Sequence, residues 1–552
     1  MLRLTDIKLP LDHPATALRQ VVLNKLKIAD GELLDVQIAK RSHDARKRGA
    51  ILLIYALDVT LRDEAYVLAR FSGDAHVVPA PDTRYEAVAQ APKNLPLRPL
   101  VIGFGPCGLF AALVLAQMGF RPIVLERGKA VRERTRDTWD LWRKRTLHPE
   151  SNVQFGEGGA GTFSDGKLYS QIRDPQHRGR KVLTEFAKAG APEEILYVAK
   201  PHIGTFRLVS MIENMRKDIE TLGGEIRFGQ RVDDIEIEID AGGRRQLRGV
   251  TLADGSRIRA DHVVLALGHS ARDTFAMLHQ RGVYVEAKPF SIGFRIEHPQ
   301  SLIDRARFGA QAGHPILGAA DYKLVHHCKG DHAGRGRSVY SFCMCPGGTV
   351  VAATSEPGHV VTNGMSQYSR NERNANAAIV VGIEPADFAP FDASGSPLAG
   401  IALQRALERH AYSLGGANYN APAQLVGDFI AGRASSGLGQ VIPSFQPGVS
   451  PCSLDSALPD YAIAAIREAL PAFGKQLRGF DMHDAVLTAV ETRTSSPIRI
   501  TRDDTLQSLN TRGLYPAGEG AGYAGGILSA GVDGINVAEA VALGITRHAS
   551  SA

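Results

Sequence analysis

Gly103, Gly105 and Gly108 stand in the run Val101-Ile102-Gly103-Phe104-Gly105-Pro106-Cys107-Gly108. With a strand before them and a helix after, glycines at this spacing can seat the pyrophosphate of a dinucleotide. The first permits the tight turn, the second lets the backbone approach the phosphates, and the third lets the helix pack close to the sheet. Residues 99–102 read as a short buried strand and residues 107–118 as an apolar helix. The start of that helix, at Pro106 and Cys107, would offer free N–H groups and a positive dipole end. A second apolar strand over 121–125 ends at Glu126, followed by Arg127. A carboxylate in that position can accept hydrogen bonds from ribose hydroxyls.

Other residues have the chemistry for redox or proton transfer. The loop 156–167 is rich in glycine, which allows close approach to a ligand, and it contains Gly161, Thr162 and Lys167. Lys167 can place positive charge near a bound cofactor. Cys343 and Cys345 form a C-x-C on a predicted strand, so both would point to one face as a candidate redox dithiol. The pair alone lacks enough neighbouring ligands for zinc, and no metal is expected. His269 follows Gly268 at the end of an apolar strand and is a candidate proton donor. Arg433, Ser435 and Ser436 have the chemistry to bind a substrate anion.

The glycine turn permits NAD or FAD, and a second segment decides between them. Residues 513–526, Gly-Leu-Tyr-Pro-Ala-Gly-Glu-Gly-Ala-Gly-Tyr-Ala-Gly-Gly, read as a strand, an acidic glycine turn and the approach to a helix. This segment resembles the flavin-side motif of FAD oxidoreductases of the glutathione-reductase superfamily. The resemblance implies that Gly518 and Glu519 meet the ribityl chain, although many members carry aspartate in place of Glu519. It also implies that Gly531, Gly534, Ile535 and Asn536 present backbone N–H groups to the flavin pyrimidine edge. The run Val263-Val264-Leu265-Ala266-Leu267-Gly268 resembles the superfamily's strand and alanine-x-glycine turn, and Val232 falls where its backbone contacts adenine. Within that superfamily the chain is most similar to bacterial FAD-dependent, or NAD(FAD)-utilising, dehydrogenases. The residues carrying that likeness are 156–168, Cys343-Met344-Cys345-Pro346-Gly347-Gly348, Asn363-Gly364-Met365-Ser366 and the C-terminal glycine segment. FAD is the expected cofactor. The absence of a second glycine turn leaves two donors open, transient NADH or NADPH and the substrate itself.

These residues need a scaffold. The 552 residues, 44% hydrophobic and 22% charged, supply ample core for several units. The fold class expected is α/β, a Rossmann-like FAD-binding domain whose parallel sheet carries a β-hairpin insert. It is divided between residues 96–275 and 491–552 by a mixed α+β substrate or cap domain over 276–490. Residues 1–95 read as a small ferredoxin-like α+β domain, with strands over 2–9, 33–39 and 49–59 and a helix over 15–26. Residues 127–145 read as a helix whose basic residues face solvent.

A net charge of +6 suits an anionic ligand. The basic run Lys40, Arg41, Arg46, Lys47 and Arg48 makes nucleic acid the weaker alternative partner. Five scattered cysteines make no disulfide framework. With no signal-peptide core at Met1, they point to the cytoplasm. The function expected is FAD-dependent oxidoreduction of a small molecule. The alternatives are a flavin monooxygenase, an RNA-interacting flavoprotein and a redox-sensing binding protein without turnover.

Overall fold

Five parallel strands lie side by side in the order Leu514–Pro516, Val263–Leu265, Leu100–Ile102, Ile123–Glu126 and Glu225–Phe228. The first four are short and wholly buried, as expected when helices cover both faces of a parallel sheet. The computed structural model describes residues 1–551, with side chains through Arg547. Its sheet is assembled from both ends of the chain, because Leu514–Pro516 pairs with Val263–Leu265.

Helix Pro106–Gln117 leaves the glycine turn, with ten consecutive residues, Cys107 to Ala116, buried. A helix apolar all round is one that the core encloses. It packs against the long C-terminal helix Ile527–Ser551, where Gly534 sits close to the Cys107 carbonyl and Gly531 against Phe110. The segment Ile527–Arg547 is long and apolar enough to cross a bilayer, yet 72% of its most apolar window is buried in protein. It is therefore a core helix. Strands Val232–Ile239, Arg245–Leu252 and Arg257–Arg259 form an antiparallel unit beside the sheet. Gly255, at φ +83°, makes its Asp254-Gly255 turn.

The chain leaves this unit through Val285–Ala287 and returns through Ile498–Ile500, and those two strands pair with each other. Between them lies a seven-stranded, mostly antiparallel sheet. Its order is Val325–His327, Ser338–Cys345, Asn374–Ile383, Phe290–Pro299, Val486–Glu491, Ala421–Leu425 and Val449–Pro451. Helices Ala399–Leu414 and Asp460–Gln476 flank it.

At the N-terminus, strands Leu2–Pro10, Leu33–Asp44, Leu52–Leu61 and Val77–Pro79 form one antiparallel sheet, and the last pairs beside the first. Helices Ala17–Leu26 and Glu64–Arg70 complete the unit.

Two charged segments differ from expectation. The basic run does not form one solvated patch. The Arg41 N–H donates to the Tyr197 carbonyl at 2.7 Å, its carbonyl accepts from Ala199 N–H at 2.9 Å, and its guanidinium lies over the Tyr197 ring. Arg41 therefore docks the N-terminal unit, while Arg46 is paired with Asp44. The second case is helix Val131–Lys144. Most of its basic residues face solvent, but Arg134 is wholly buried. Its guanidinium donates to the carbonyls of Asn152 (2.7 Å), Val153 (2.7 Å) and Glu157 (2.6 Å). Burial pulls its pKa down to about 10, so it stays charged at neutral pH. The carbonyl dipoles replace water around the cation and fix the course of the glycine loop.

Candidate functional site

One cavity of about 590 Å³ runs along the carboxyl ends of the parallel strands and continues to the face of the seven-stranded sheet. Gly103, Gly105, Pro106, Cys107, Glu126, Arg127, Gly161, Lys167, Val232, Ala266, Gly268, His269, Cys343 and Glu519 all line it. Crevices at the carboxyl edge of a parallel sheet are where such folds bind ligands.

At one end the second strand delivers Glu126, which is nearly inaccessible. One carboxylate oxygen accepts the Phe104 N–H, and the other accepts those of Gly128 and Gly156, each at 2.9 Å. Glu126 thus ties the glycine turn, its own strand end and the glycine loop to one point. A carboxylate has about four acceptor sites, so three backbone donors leave capacity for another. Beside it Arg127 stacks over Phe155, its guanidinium carbon 4.2 Å from the ring centroid, and pairs with Glu150 and Asp273.

In mid-cavity the two glycine-rich segments touch. A Cβ on Gly103 (φ +95°) would stand 2.5 Å from the Ala266 carbonyl oxygen, and one on Gly108 only 1.9 Å from that of Gly103. Those two positions are closed to any side chain. Gly105 differs: its φ of −76° is open to all residues, and a Cβ there would rest 3.5 Å from Gly159 Cα. Its lack of a side chain keeps the crossing of the two loops slim.

The far end is charged. Glu519 lies near Lys288 and Cys343, and burial pushes its pKa up to about 7; the Lys288 charge opposes this and Cys343 adds to it. A folded-state pKa above the unfolded value of 4.5 makes ionisation a cost to folding, absent at low pH and complete above pH 7. Glu519→Gln is therefore expected to leave the apoprotein's melting temperature unchanged near pH 4 and to raise it at pH 8. Calorimetry of the apoprotein across that range checks the sign.

Lys167 stands 3.9 Å from Asp165, which is itself paired with Arg370. Burial opposes its charge, but Cys345, Asp165 and Cys343 together hold its pKa above the ordinary lysine value. Cys343 lies at a bulge in strand Ser338–Cys345, with φ +43°, so the simple expectation of two cysteines on one face of a regular strand is corrected. The Cys345 hydrogen bond holds the Cys343 thiol well below the usual range, with Lys167 and Arg295 assisting against burial. Cys345 is pushed up correspondingly. Arg295, fully buried, donates to the Cys343 carbonyl at 2.9 Å, to Asn363 and Asn376, and twice to Glu491. The Cys343 and Asn363 motifs, distant in sequence, thus meet at one guanidinium.

His269 accepts or donates a hydrogen bond with Ser270 through Nδ1 at 3.1 Å. Burial, with Arg493 and Arg272 nearby, pushes its pKa down to about 3. It is neutral at pH 7. Arg493 lines the cavity and donates to Ser270 (3.0 Å), Ser355 (2.7 Å) and Glu408. Neither Arg493 nor Tyr322, whose hydroxyl is buried without a partner in the cavity wall, stood out in the sequence. No motif marks either one.

Several expected residues lie off the cavity. Gly108 and Gly518 are packing positions, the latter donating its N–H to Asp533 at 2.7 Å. Thr162 is buried beneath the loop against Arg134. Gly531, Gly534, Ile535 and Asn536 sit inside the C-terminal helix, which begins at Ile527, so they are not its free N-terminal groups. The lining residues there are Gly525, Gly526, Ile527 and Ala530. Arg433 and Ser435 both bind Asp428, in a local turn away from the cavity. Ser436 is exposed and likewise absent from its walls.

A protein of Clostridium beijerinckii (strain ATCC 51743 / NCIMB 8052), described as an uncharacterized protein, is 45% identical over 538 residues, covering 98% of each chain. The chain belongs to that protein's family. Residues 289–494 match the family model "FAD-dependent protein, C-terminal domain-like", and residues 154–280 match "Flavin containing amine oxidoreductase". Residues 1–60 match a domain of unknown function. Among solved structures, halogenase PltM is 12% identical, with 82% of this chain and 70% of that chain covered and a TM-score of 0.37. L-proline dehydrogenase from P. horikoshii is 13% identical, with 81% and 94% covered and a TM-score of 0.37. Likeness at that level assigns neither substrate nor reaction. This family member is an FAD-dependent oxidoreductase with a mixed α/β fold built on a parallel sheet. Its cavity fits the cofactor: a side-chain-free turn at a helix start, a carboxylate with spare acceptor capacity at one end and a cationic lysine toward the other.

Proposed function

We propose that FAD lies along the cavity from Val232 and Glu126, past Gly103 and Gly105, to Glu519 and Lys167, and that a small-molecule substrate enters beside Tyr322, Cys343 and Arg493. The observation that carries this reading is the single continuous cavity joining the glycine turn to the charged end. In this reading Glu126 receives ribose hydroxyls with its remaining acceptor capacity, and the first turn of helix Pro106–Gln117 faces the pyrophosphate. Glu519, protonated for much of the time near neutrality, donates or accepts toward the ribityl chain. Lys167 keeps positive charge beside the ring, and Arg493 holds an anionic group of the substrate. When bound, FAD supplies two-electron oxidation or reduction; the protein positions the substrate, excludes water and sets local charge.

The finer architecture belongs to the same proposal. It comprises a glutathione-reductase-type FAD-binding domain over 96–275 and 491–552, a substrate domain over 276–490 and a ferredoxin-like N-terminal domain over 1–95, in a cytoplasmic protein. The β-α-β-β-α-β element order of the N-terminal unit supports the last assignment.

Purified protein should be yellow, and anaerobic mixing with NADH, NADPH or candidate substrates should bleach the flavin with whichever donor is competent. A colourless protein that takes up no added FAD overturns the proposal. Glu126→Gln replaces one acceptor oxygen with an amide NH₂ facing backbone donors. It is expected to cost about 1–3 kcal/mol of stability and to weaken FAD retention, read by urea unfolding and by flavin absorbance after dialysis.

A further inference from the structure

We infer that Cys343 and Cys345 are a redox-active dithiol–disulfide pair that exchanges two electrons with FAD in the adjoining cavity. The inference rests on the cofactor placement proposed above. In a regular strand, residues two apart stand about 6.6 Å from each other at Cα, near the outer limit of disulfide spacing. The chain does not keep that geometry here. The pairing of Ser338–Cys345 with Asn374–Ile383 shifts between Phe342 and Cys345, and Cys343 takes φ +43°, a conformation that non-glycine residues rarely adopt. The bend brings Cys345 Sγ to 3.4 Å from the Cys343 carbonyl oxygen, so the inner thiol turns back toward the residue that carries the outer one.

The partners around the bend hold it in place. The Arg295 guanidinium grips the Cys343 carbonyl from the buried side, itself fixed by Glu491. Gly347 (φ +42°) and Gly348 follow after Pro346, and a Cβ on Gly348 would stand 3.3 Å from Cys345 Cβ. The two thiols are unequal in access. Cys343 is partly exposed and lines the cavity, whereas Cys345 is buried behind it. Lys167 and Arg295 supply positive charge to the outer sulfur, the setting in which a thiol ionises and reacts. The molecule provides its own contrast: Cys107 also lines the cavity, but burial and the Asp533 charge push its thiol well up, and it has no second cysteine.

The chemistry balances without a further reagent. Cys343 thiolate and Cys345 thiol form the Sγ–Sγ bond while the Cys345 S–H bond breaks. The two electrons released, with that one proton, reduce oxidised FAD. Run in reverse, the disulfide accepts two electrons and one proton from reduced FAD. Cys343, facing the cavity, is then the thiolate that meets an entering disulfide or other thiol-reactive electron acceptor.

The test is an anaerobic reductive titration of the FAD-loaded enzyme, previously oxidised with excess ferricyanide, which leaves no mixed disulfide on a single thiol, and desalted. Wild type should consume about four electrons per flavin and Cys345→Ser about two, since each couple carries two; Cys107→Ser should stay at about four. In parallel, alkylation and peptide mass spectrometry on oxidised protein should find 343 and 345 joined, with a mass lower by two hydrogens. Should Cys345→Ser not fold, Cys343→Ser and the wild-type titration carry the same decision. About two electrons per flavin in wild type, with both cysteines alkylated after oxidation, overturns the pair while leaving FAD-dependent function intact. Disulfide formation in a protein that takes up no FAD overturns the electron exchange and the cofactor placement together.

Discussion

Glu408→Ala is expected to destabilise the protein by about 3–5 kcal/mol, the usual cost of removing one partner from a buried ion pair. Glu408 is completely buried in helix Ala399–Leu414 and serves two arginines, Arg272 and Arg493, whose side chains are 1% and 3% exposed. Its oxygens accept from Arg272 at 2.6 and 3.1 Å, from Arg493 at 3.0 and 2.7 Å, and from Thr492 at 2.8 Å. Arg272 has a second acid, Glu356, and its pKa is raised. Among the described residues Arg493 forms an ion pair with Glu408 alone, and burial with the Arg272 charge lowers its pKa, against the attraction of Glu408 and Glu356. Without Glu408, Arg272 keeps its pairing with Glu356 while Arg493 loses its ion-pair partner. The pH dependence follows in sign. The arginines hold the Glu408 carboxyl well below its ordinary range against burial. Its contribution is therefore complete above the usual glutamate pKa and is lost only as pH falls below that range. Urea unfolding of wild type and variant should show a large gap in midpoint at pH 7 that narrows in acid. Equal midpoints at pH 7 would contradict this reading of the triad.

Gly105→Val is expected to leave the fold largely intact and to abolish FAD retention. The backbone at Gly105 suits any residue, and a Cβ makes only ordinary contact with Gly159. The extra methyl groups of valine must then enter the cavity or part the two glycine loops, and both occupy the path assigned to the pyrophosphate. Gly108→Val is the contrasting case, because even a Cβ collides with the Gly103 carbonyl oxygen. The first variant should be colourless and cooperatively folded, the second poorly folded. Flavin-to-protein absorbance and circular dichroism separate the two; a yellow Gly105→Val would remove the pyrophosphate from this turn.

What the sequence reveals here is mostly local. The glycine turn, the apolar strands around it and the Asp254-Gly255 hairpin declare themselves through residue type and spacing. Arg134 looks like one more cation on a charged helix because its partners are carbonyl groups, which every residue carries and no side chain advertises. Arg493 and Glu408 are invisible for a related reason: the pairing spans two elements joined only by the fold. The position of the C-terminal helix start shows a further limit. Gly525 and Gly526 end the loop, but Gly531 and Gly534 are equally glycine, and only packing against Phe110 and Cys107 identifies them as helix contacts. At Cys343 the sequence discloses two thiols on one strand, while their approach depends on a bulge set by the neighbouring strand.

The return of the chain to its first sheet through Leu514–Pro516 governs the order in which the protein matures during synthesis. The turn at Gly103 leaves the ribosome long before Glu519 does, separated by the whole seven-stranded unit. Domains fold broadly as they emerge, so the N-terminal unit and the inserted sheet can form while the cofactor cradle still lacks one wall. Emergence of the strand Leu514–Pro516 and the glycine segment after it then closes the cradle, and chains halted before residue 514 should fold in parts yet carry no flavin.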